Sequence, residues 1–226
     1  MSEQSAGADK SAQSQVWEVE TLSRSYLDAL RAADVAGAYK VATRALESGM
    51  STAALYQRVI ARAMHELGRL WKAGAITIAD EHLATALTHR VLAALRPPQL
   101  LELTLDARMG RPCALLAAVE GEQHALGLRM AADLLEDAGY RTAYLGADVP
   151  TRALLQAVRT FSPDLVGLTA TMPESTQRLA EAVELVRGEH PRLPLLVGGQ
   201  GSGSPRLGEG TVIDDLELLA AKVPLP

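Results

Sequence analysis

Hydrophobic positions divide the chain into two parts with different periodicities. From residue 16 to residue 95 the apolar side chains recur every three to four positions, as on one face of an amphipathic helix. Leu22, Tyr26 and Leu30, for example, step by four residues through the first segment. The pattern predicts four helices, over residues 16–33, 35–47, 51–72, and from Thr77 or Asp80 to residue 95. Because their connections are short, we expect an antiparallel four-helix bundle over residues 16–96.

Beyond Pro97-Pro98 the pattern changes to short apolar runs that alternate with amphipathic segments. We interpret residues 97–111 as a linker and residues 112–226 as an α/β domain. The predicted strands are 113–119, 141–145, 164–169, 194–197 and 211–213, and the predicted helices are 123–138, 151–160, 174–188 and one from residue 214. Strands that alternate with helices in this way predict a five-stranded parallel sheet of the flavodoxin-like, Rossmann-like type. Such sheets bind ligands at the carboxyl ends of their strands.

Composition excludes several classes of function. A formal net charge of −5 argues against nucleic-acid binding, which needs clustered Lys and Arg. The single cysteine, Cys113, excludes an internal disulfide framework and a C-x-x-C zinc site. No apolar run reaches the roughly 20 residues of a membrane span. Residues 1–15 lack the apolar core of a signal peptide, so we interpret them as a disordered tail and expect a cytoplasmic protein.

The first predicted strand is followed by a histidine with an acidic neighbour. The segment reads Glu122-Gln123-His124, and Gly127 follows three residues later. Glu122 is placed to accept a hydrogen bond from one ring nitrogen of His124, which leaves the other nitrogen free to bind a metal ion. Gly127 lets a large group approach the start of the helix. A solvated loop histidine beside a chance carboxylate is the ordinary alternative for so short a motif.

Two further strand ends carry small residues. The third predicted strand ends in Thr169-Ala170-Thr171, and the fourth ends in Gly198-Gly199. Because parallel strands present their carboxyl ends at one edge of the sheet, these residues leave an open slot beside His124. Each motif alone is weak, since a Gly-Gly pair after a strand is usually a tight turn. Their order at three successive strand ends predicts a binding site for a flat or elongated group.

In this order the motifs resemble the cobalamin-binding domain of methionine synthase and its relatives, over residues 111–226. The family signature is D-x-H-x-x-G, then S-x-L or S-x-T, then G-G. The resemblance implies that His124 is the lower axial ligand of cobalt, replacing the dimethylbenzimidazole base, and that Glu122 is its hydrogen-bonding partner. Glu122 stands for the usual Asp, and Thr169 for the usual Ser. The residues implied to line the slot for the displaced nucleotide tail are Thr169, Thr171, Gly198 and Gly199.

The helical part carries a second constellation at one end of the predicted bundle. Trp71 lies near the end of the third predicted helix, and Glu81 and His82 lie near the start of the fourth, in the spacing W-x9-E-H. We expect the three side chains to face one another across a short turn, where they can cover the upper face of a planar macrocycle. Without the second domain, the ordinary interpretation is a bundle anchor at Trp71 and first-turn residues favoured by the helix dipole.

Above a cobalamin module, this spacing resembles the light-sensing cobalamin proteins of the CarH type. In that family the helix bundle caps the upper adenosyl group, light breaks the cobalt–carbon bond, and the loss of the group changes the oligomeric state. Residues 121–150 are also similar to that group over their whole length. The resemblance implies adenosylcobalamin as the cofactor, with Trp71, Glu81 and His82 packed against its adenosyl group.

Two departures from the CarH type change the expected output. Its repressors carry an N-terminal MerR-like DNA-binding domain where this chain has about 15 residues, so we expect no direct binding of nucleic acid. Lys72 stands where those repressors have the histidine that becomes the upper cobalt ligand after photolysis, and a protonated lysine cannot bind cobalt. His65 and His82 are alternative ligands. A bilin as second chromophore, as in the stand-alone photocobilins, is left open by these residues.

The sequence thus favours a sensor over an enzyme. We expect a cobalamin-dependent light sensor that binds adenosylcobalamin base-off and His-on, forms a homo-oligomer (a dimer or tetramer) and signals through a protein partner. The alternative is a corrinoid protein that carries methyl groups between methyltransferases and shares the lower-ligand motif. The W-x9-E-H spacing favours the sensor, because a methyl carrier needs an open upper face. A cobalamin storage or delivery module is a third possibility.

Overall fold

The computed structural model describes residues 18–96, 110–199 and 211–223. The chain divides into two compact units between Pro97 and Pro98. The predicted tail, residues 97–109 of the predicted linker and residues 200–210 of the Gly/Ser-rich loop lie outside the described residues. Within the described part, no helix has the length and apolar character needed to cross a membrane.

The first unit is helical throughout. Its helices are α1 (residues 18–31), α2 (Val35–Glu47), α3 (residues 52–72) and α4 (Ile78–Leu95). Polar side chains cap three of them: Asp34 accepts from the N–H of Gly37, Ser51 from that of Ala54, and Thr77 from that of Asp80. Thr77, rather than Asp80, therefore opens the fourth helix, and Asp80 completes a capping box with it.

The core of this unit is built from the apolar stripes of the four helices. Its fully buried large side chains include Tyr26, Leu30, Leu55, Tyr56, Ile60, Leu67 and Leu92. One irregularity lies in the middle of α3, where Leu55–Ala61 is a π-helix between the α-helical segments Thr52–Ala54 and Arg62–Lys72. The hydroxyl of Ser23 on α1 donates to the carbonyl oxygen of Val59 in this segment, at 3.2 Å. The sequence analysis did not predict this change of helix type.

The second unit is a parallel α/β domain. Its strands are β1 (Cys113–Val119), β2 (Arg141–Val149), β3 (Leu165–Thr169), β4 (Leu195–Gly198) and β5 (Thr211–Ile213). Its helices are α5 (Leu126–Asp137), α6 (Thr151–Phe161), α7 (Thr176–Glu189) and α8 (Leu219–Lys222). The strand order β2-β1-β3-β4-β5 is the flavodoxin-like order, so the predicted fold class is confirmed.

Both faces of the sheet are covered, which explains why its central strands read as continuous apolar runs. On β1, Leu115 and Ala117 pack into one core with the side chains of α6 and α7. Their neighbours Leu116 and Ala118 point to the opposite face and pack with those of α5 and α8. Every residue of β1 is buried. The central strands therefore leave only their ends available for chemistry.

Three elements of this domain differ most from the predicted boundaries. The last helix, expected from residue 214, is a 3₁₀-helix over Leu216–Leu218 followed by α8, which begins at Leu219. The second strand continues to Val149 instead of ending at Leu145, with two register irregularities against β1. Helix α5 begins at Leu126 instead of Gln123. The delay has a local cause, because the N–H of His124 donates to the side chain of Glu122 at 2.8 Å, which holds the segment in a loop.

Candidate functional site

Glu122 and His124 lie together in the loop between β1 and α5. The distance from Nδ1 of His124 to Oε1 of Glu122 is 2.6 Å. The carboxylate is fully buried, whereas the imidazole side chain is 52% exposed. The imidazole ring of His124 is thus accessible from outside the protein, while the carboxylate that holds it is buried.

Glu122 is the most highly connected side chain of the site. Besides its contacts to His124, its Oε2 accepts hydrogen bonds from the backbone N–H groups of Thr171 and Met172, at 2.6 and 2.9 Å. Burial by itself raises the pKa of this carboxyl, but the backbone N–H groups of Met172, His124 and Thr171 and the ring of His124 outweigh it. The pKa of Glu122 is therefore lowered, and the side chain is an anion at neutral pH.

The anion fixes the form of the imidazole. A carboxylate accepts but does not donate, so Nδ1 of His124 carries the proton in this 2.6 Å contact. In the neutral ring the lone pair is then on Nε2, the atom at the other side of the imidazole. A neutral imidazole nitrogen backed by a hydrogen-bonded carboxylate is a good ligand for a transition metal. It supplies one coordination position, which is what an axial site of a metal-bearing macrocycle requires.

The other predicted strand-end residues lie next to this loop in the sheet. Ala118 of β1 pairs with Thr169 of β3, and Thr169 pairs with Gly198 of β4, so the three carboxyl ends are neighbours. Thr169 is buried, and Gly199 packs so closely on it that an added Cβ would lie 2.7 Å from the Thr169 hydroxyl oxygen. The backbone of Gly199 also has a φ of +90°.

Gly127, unlike Gly199, is not closely packed against other residues. It lies in the first turn of α5, and an added Cβ there would meet no atom of the described residues within 4 Å apart from the adjoining turn of its own helix. The protein itself therefore does not require glycine at this position. The space beside it is available to an external group.

Thr171 contributes differently from the sequence expectation. Its hydroxyl was expected to line the slot, whereas the contact that the structure describes is the hydrogen bond from its backbone N–H to Glu122. Met172 makes the same kind of contact and was not among the predicted site residues. A backbone donor leaves no signature in the sequence, so neither contact could be found from residue types.

Asp148, at the end of β2, is a second residue that the sequence analysis missed. Its carboxylate accepts from the N–H of Gly121 at 2.7 Å, and its own N–H donates to the carbonyl oxygen of Glu122 at 2.9 Å. Asp148 has a left-handed backbone with a φ of +54°. A non-glycine residue in that conformation is uncommon, and it is the signal that draws attention to this position.

In the first unit, the structure brings Glu81 and His82 together. Nδ1 of His82 lies 2.6 Å from Oε2 of Glu81, and the other carboxylate oxygen accepts from the hydroxyl of Thr85 at 2.9 Å. Trp71 lies one residue before the end of α3 and is 39% exposed. Ile78 and Leu83 on α4 are also exposed, so exposed apolar side chains lie on the same helix as this polar pair.

Comparison with protein families identifies the type of molecule. One family model described as B12 binding domain matches residues 112–217, and a second with the same description matches residues 22–96. The chain is a cobalamin-binding protein. The first match contains the Glu122–His124 loop, and the second contains the Trp71, Glu81 and His82 positions.

Two relatives of this cobalamin-binding protein are named for different roles, one as a transcriptional repressor and one as a corrinoid protein. The HTH-type transcriptional repressor CarH of Myxococcus xanthus is 32% identical over 151 residues, which are 66% of this chain and 48% of the repressor. The dimethylamine corrinoid protein 3 of Methanosarcina acetivorans is 25% identical over 150 residues, which are 64% of this chain and 67% of that protein. The chain thus spans about half the length of the repressor it matches.

A solved structure supports the fold. The monomethylamine corrinoid protein of Methanosarcina barkeri matches with a TM-score of 0.69 at 18% identity, covering 89% of this chain and 96% of that one. A helical part followed by a five-stranded parallel α/β domain is therefore the fold of this cobalamin-binding protein.

Proposed function

We propose that the chain is a cobalamin-dependent light sensor. It binds adenosylcobalamin base-off, with His124 as the lower axial ligand. When bound, the cofactor supplies a cobalt–carbon bond that light can break. The protein's part is to hold the lower face, to cover the upper face and to convert the loss of the upper group into a change of arrangement.

The lower face is the part best supported by the geometry. Glu122 holds Nδ1 of His124 at 2.6 Å and keeps the ring from turning, so that Nε2 is the nitrogen through which the neutral ring would bind cobalt. The open space beside Gly127 leaves room for a large planar group at the start of α5. Residues proposed to line the slot for the displaced nucleotide tail are Thr169, Thr171, Gly198 and Gly199. These side chains are small, as a deep slot between strand ends requires.

The upper face is assigned to the helical unit. The chain has only two tryptophans, and one of them, Trp71, has a side chain that is 39% exposed to solvent. This exposure is the observation that carries the sensor proposal. A large exposed aromatic surface favours contact with an apolar or aromatic partner. The adenine ring of an adenosyl group is such a partner. In this proposal Glu81 and His82, at the start of α4, supply hydrogen-bonding atoms for the ribose or the adenine edge.

The proposed output is a change in domain arrangement or oligomeric state that a protein partner detects. The proposal of a signalling role is supported by the similarity to the transcriptional repressor CarH, 48% of which is covered by the match. Lys72, next to Trp71, cannot bind cobalt while protonated, and His65 and His82 are the alternative ligands that we propose after photolysis. A bilin remains an open addition to this proposal.

The second candidate function is that of a corrinoid methyl carrier. It is favoured by the similarity to corrinoid proteins, in sequence and in overall fold. Such a carrier uses the same lower ligand but exchanges its upper group with partner enzymes. In a light sensor Trp71 would cover the upper face of the cofactor, whereas in a methyl carrier that face would have to be open. The two functions can therefore be separated experimentally.

Illumination of the adenosylcobalamin complex tests the sensor directly. We expect green light to convert the absorption spectrum and to change the elution volume in sizing chromatography. Free adenosylcobalamin is itself sensitive to light, so the change in elution volume is the decisive reading. The hydroxocobalamin complex, which has no adenosyl group, is the control and should elute alike in light and darkness. An elution volume that light leaves unchanged would favour the methyl carrier.

Trp71→Ala tests the cap. Stacking of an aromatic side chain on a base contributes about 1–3 kcal/mol, so we expect adenosylcobalamin to bind about fivefold to 150-fold more weakly. Hydroxocobalamin, which offers no adenine ring, should bind within about twofold of the unchanged protein. Equilibrium dialysis with both cofactors measures the two affinities. Equal losses for both would exclude a contact between Trp71 and the adenosyl group.

A further inference from the structure

The loop that carries His124 is held from two sides. On one side, Glu122 bonds to the backbone after β3, as described above. On the other side lies β2, the edge strand that neighbours β1 in the sheet. Two side chains of β2 contact the loop, and neither has been given a role so far.

Asp148 contacts the front of the loop. It receives the N–H of Gly121 on its carboxylate at 2.7 Å and donates its own N–H to the carbonyl oxygen of Glu122 at 2.9 Å. These two hydrogen bonds enclose the peptide unit that joins Gly121 to Glu122. The backbone that carries the Glu122 side chain is therefore held in place by β2.

Tyr144 contacts the back of the loop. Its hydroxyl donates to the carbonyl oxygen of Ala125 at 3.3 Å, directly after His124. The same carbonyl accepts the N–H of Arg129 in the first turn of α5. The start of that helix is thus tied to β2 immediately after the proposed ligand.

The register of β2 against β1 becomes irregular after Tyr144, in the segment that leads to Asp148. Leu116 pairs with Tyr144, but Ala117 pairs with Gly146 and Val119 with Val149, so β2 contains more residues than the β1 segment opposite it. Such bulges occur next to functional sites, where they redirect side chains. Asp148 also retains a left-handed backbone, a conformation that costs about 1 kcal/mol for a residue with a Cβ. A strained residue beside a site suggests a role in that site.

We propose that Asp148 and Tyr144 are positioning residues for the lower ligand. They hold the two ends of the loop so that the Glu122–His124 pair keeps one orientation with or without cobalamin. The inference rests on the proposed function, because it takes His124 as the residue that binds cobalt. It adds that the edge strand β2 determines the orientation of His124.

Three variants test this inference. Asp148→Gly keeps the left-handed backbone and removes the carboxylate, whereas Asp148→Asn keeps an acceptor oxygen in the same place. Tyr144→Phe removes one hydroxyl and leaves the ring, so it tests the second contact in a protein that should fold normally. Glu184→Gln, on the exposed face of α7, is the control for the loss of one negative charge. Urea unfolding of each variant measures its folding separately.

The first measurement is the ratio of His-on to His-off cobalamin from the absorption spectrum at saturating cofactor. We expect Asp148→Gly to lower the ratio about tenfold and Tyr144→Phe about threefold, as lost hydrogen bonds of these kinds predict. Asp148→Asn and Glu184→Gln should stay within about twofold of the unchanged protein. A folded Asp148→Gly or Tyr144→Phe variant with an unchanged ratio would overturn the proposal, as would Asp148→Asn losing as much as Asp148→Gly.

The second measurement needs no cofactor. Nitrogen NMR of the His124 ring in the ligand-free protein should report one tautomer, protonated at Nδ1, and a mixture of tautomers in Asp148→Gly and Tyr144→Phe. This arm separates the two proposals. Ring signals that change while no His-on spectrum is ever seen would contradict the lower-ligand assignment alone. Unchanged ring signals together with a normal His-on spectrum would contradict the positioning role alone.

Discussion

Replacing His124 with alanine is expected to abolish the histidine-bound spectrum of adenosylcobalamin in this protein. The imidazole is held by a fully buried carboxylate at 2.6 Å, and residues 120–125 of the loop contain no second histidine that could replace it. The bound cofactor should then show the spectrum of base-off cobalamin without a nitrogen ligand, with an affinity at least tenfold lower. Absorption spectroscopy of the complex at neutral pH measures both effects.

His190→Ala is the matched control for this experiment. His190 lies after α7 and before β4, and thus at the amino ends of the strands, the edge of the sheet opposite to His124. Its replacement removes the same chemical group from the same domain and should leave the spectrum unchanged. If His124→Ala keeps the spectrum of the unchanged protein, His124 is not the cobalt ligand.

Gly199→Ala is expected to destabilise the α/β domain even without cobalamin. An added Cβ would lie 2.3 Å from the carbonyl oxygen of Ala170 and 2.7 Å from the hydroxyl oxygen of Thr169, so the backbone of β3 or the loop would have to move. The positive φ adds a backbone cost of about 1 kcal/mol to an overpacking cost of about 1–3 kcal/mol. We expect the free energy of unfolding, measured with urea, to fall by about 2–4 kcal/mol.

Gly127→Ala, in contrast, should leave the stability of the ligand-free domain intact and weaken cobalamin binding. Its Cβ would meet no atom of the described residues within 4 Å outside its own helix turn, and alanine is the better helix former. The ligand-free domain should therefore be as stable as before or slightly more so. Cobalamin affinity, however, should fall about tenfold or more, because the methyl group occupies space that we assign to the cofactor. A Gly127→Ala variant that binds cobalamin normally would place the cofactor elsewhere.

Most of the fold was predictable because its signals are local. The four helical segments follow from apolar periodicity and from caps such as Asp34 and Ser51, whose hydrogen bonds are present. The central strands follow from apolar runs that only a sheet covered on both faces can bury. Strand ends then indicated where small and polar residues would converge, and Glu122 does contact His124 as expected.

The remaining features depend on contacts that residue types do not encode. The donors to Glu122 from Thr171 and Met172 are backbone groups brought close by the pairing of β1 with β3. The late start of α5 results from the competition of Glu122 for the N–H of His124. The π-helical turn of α3 has the same apolar spacing as an ordinary helix, so the pattern could not distinguish them.

The buried carboxylate of Glu122 also has a mechanical consequence. One of its oxygen atoms is bonded to the His124 loop and the other to the backbone that leads from β3 into α7, so it joins two loops that are distant in sequence. Neither loop can move without straining these hydrogen bonds or carrying the other loop with it. A displacement of the imidazole by a fraction of an ångström would thus be transmitted to the segment before α7 through a single side chain.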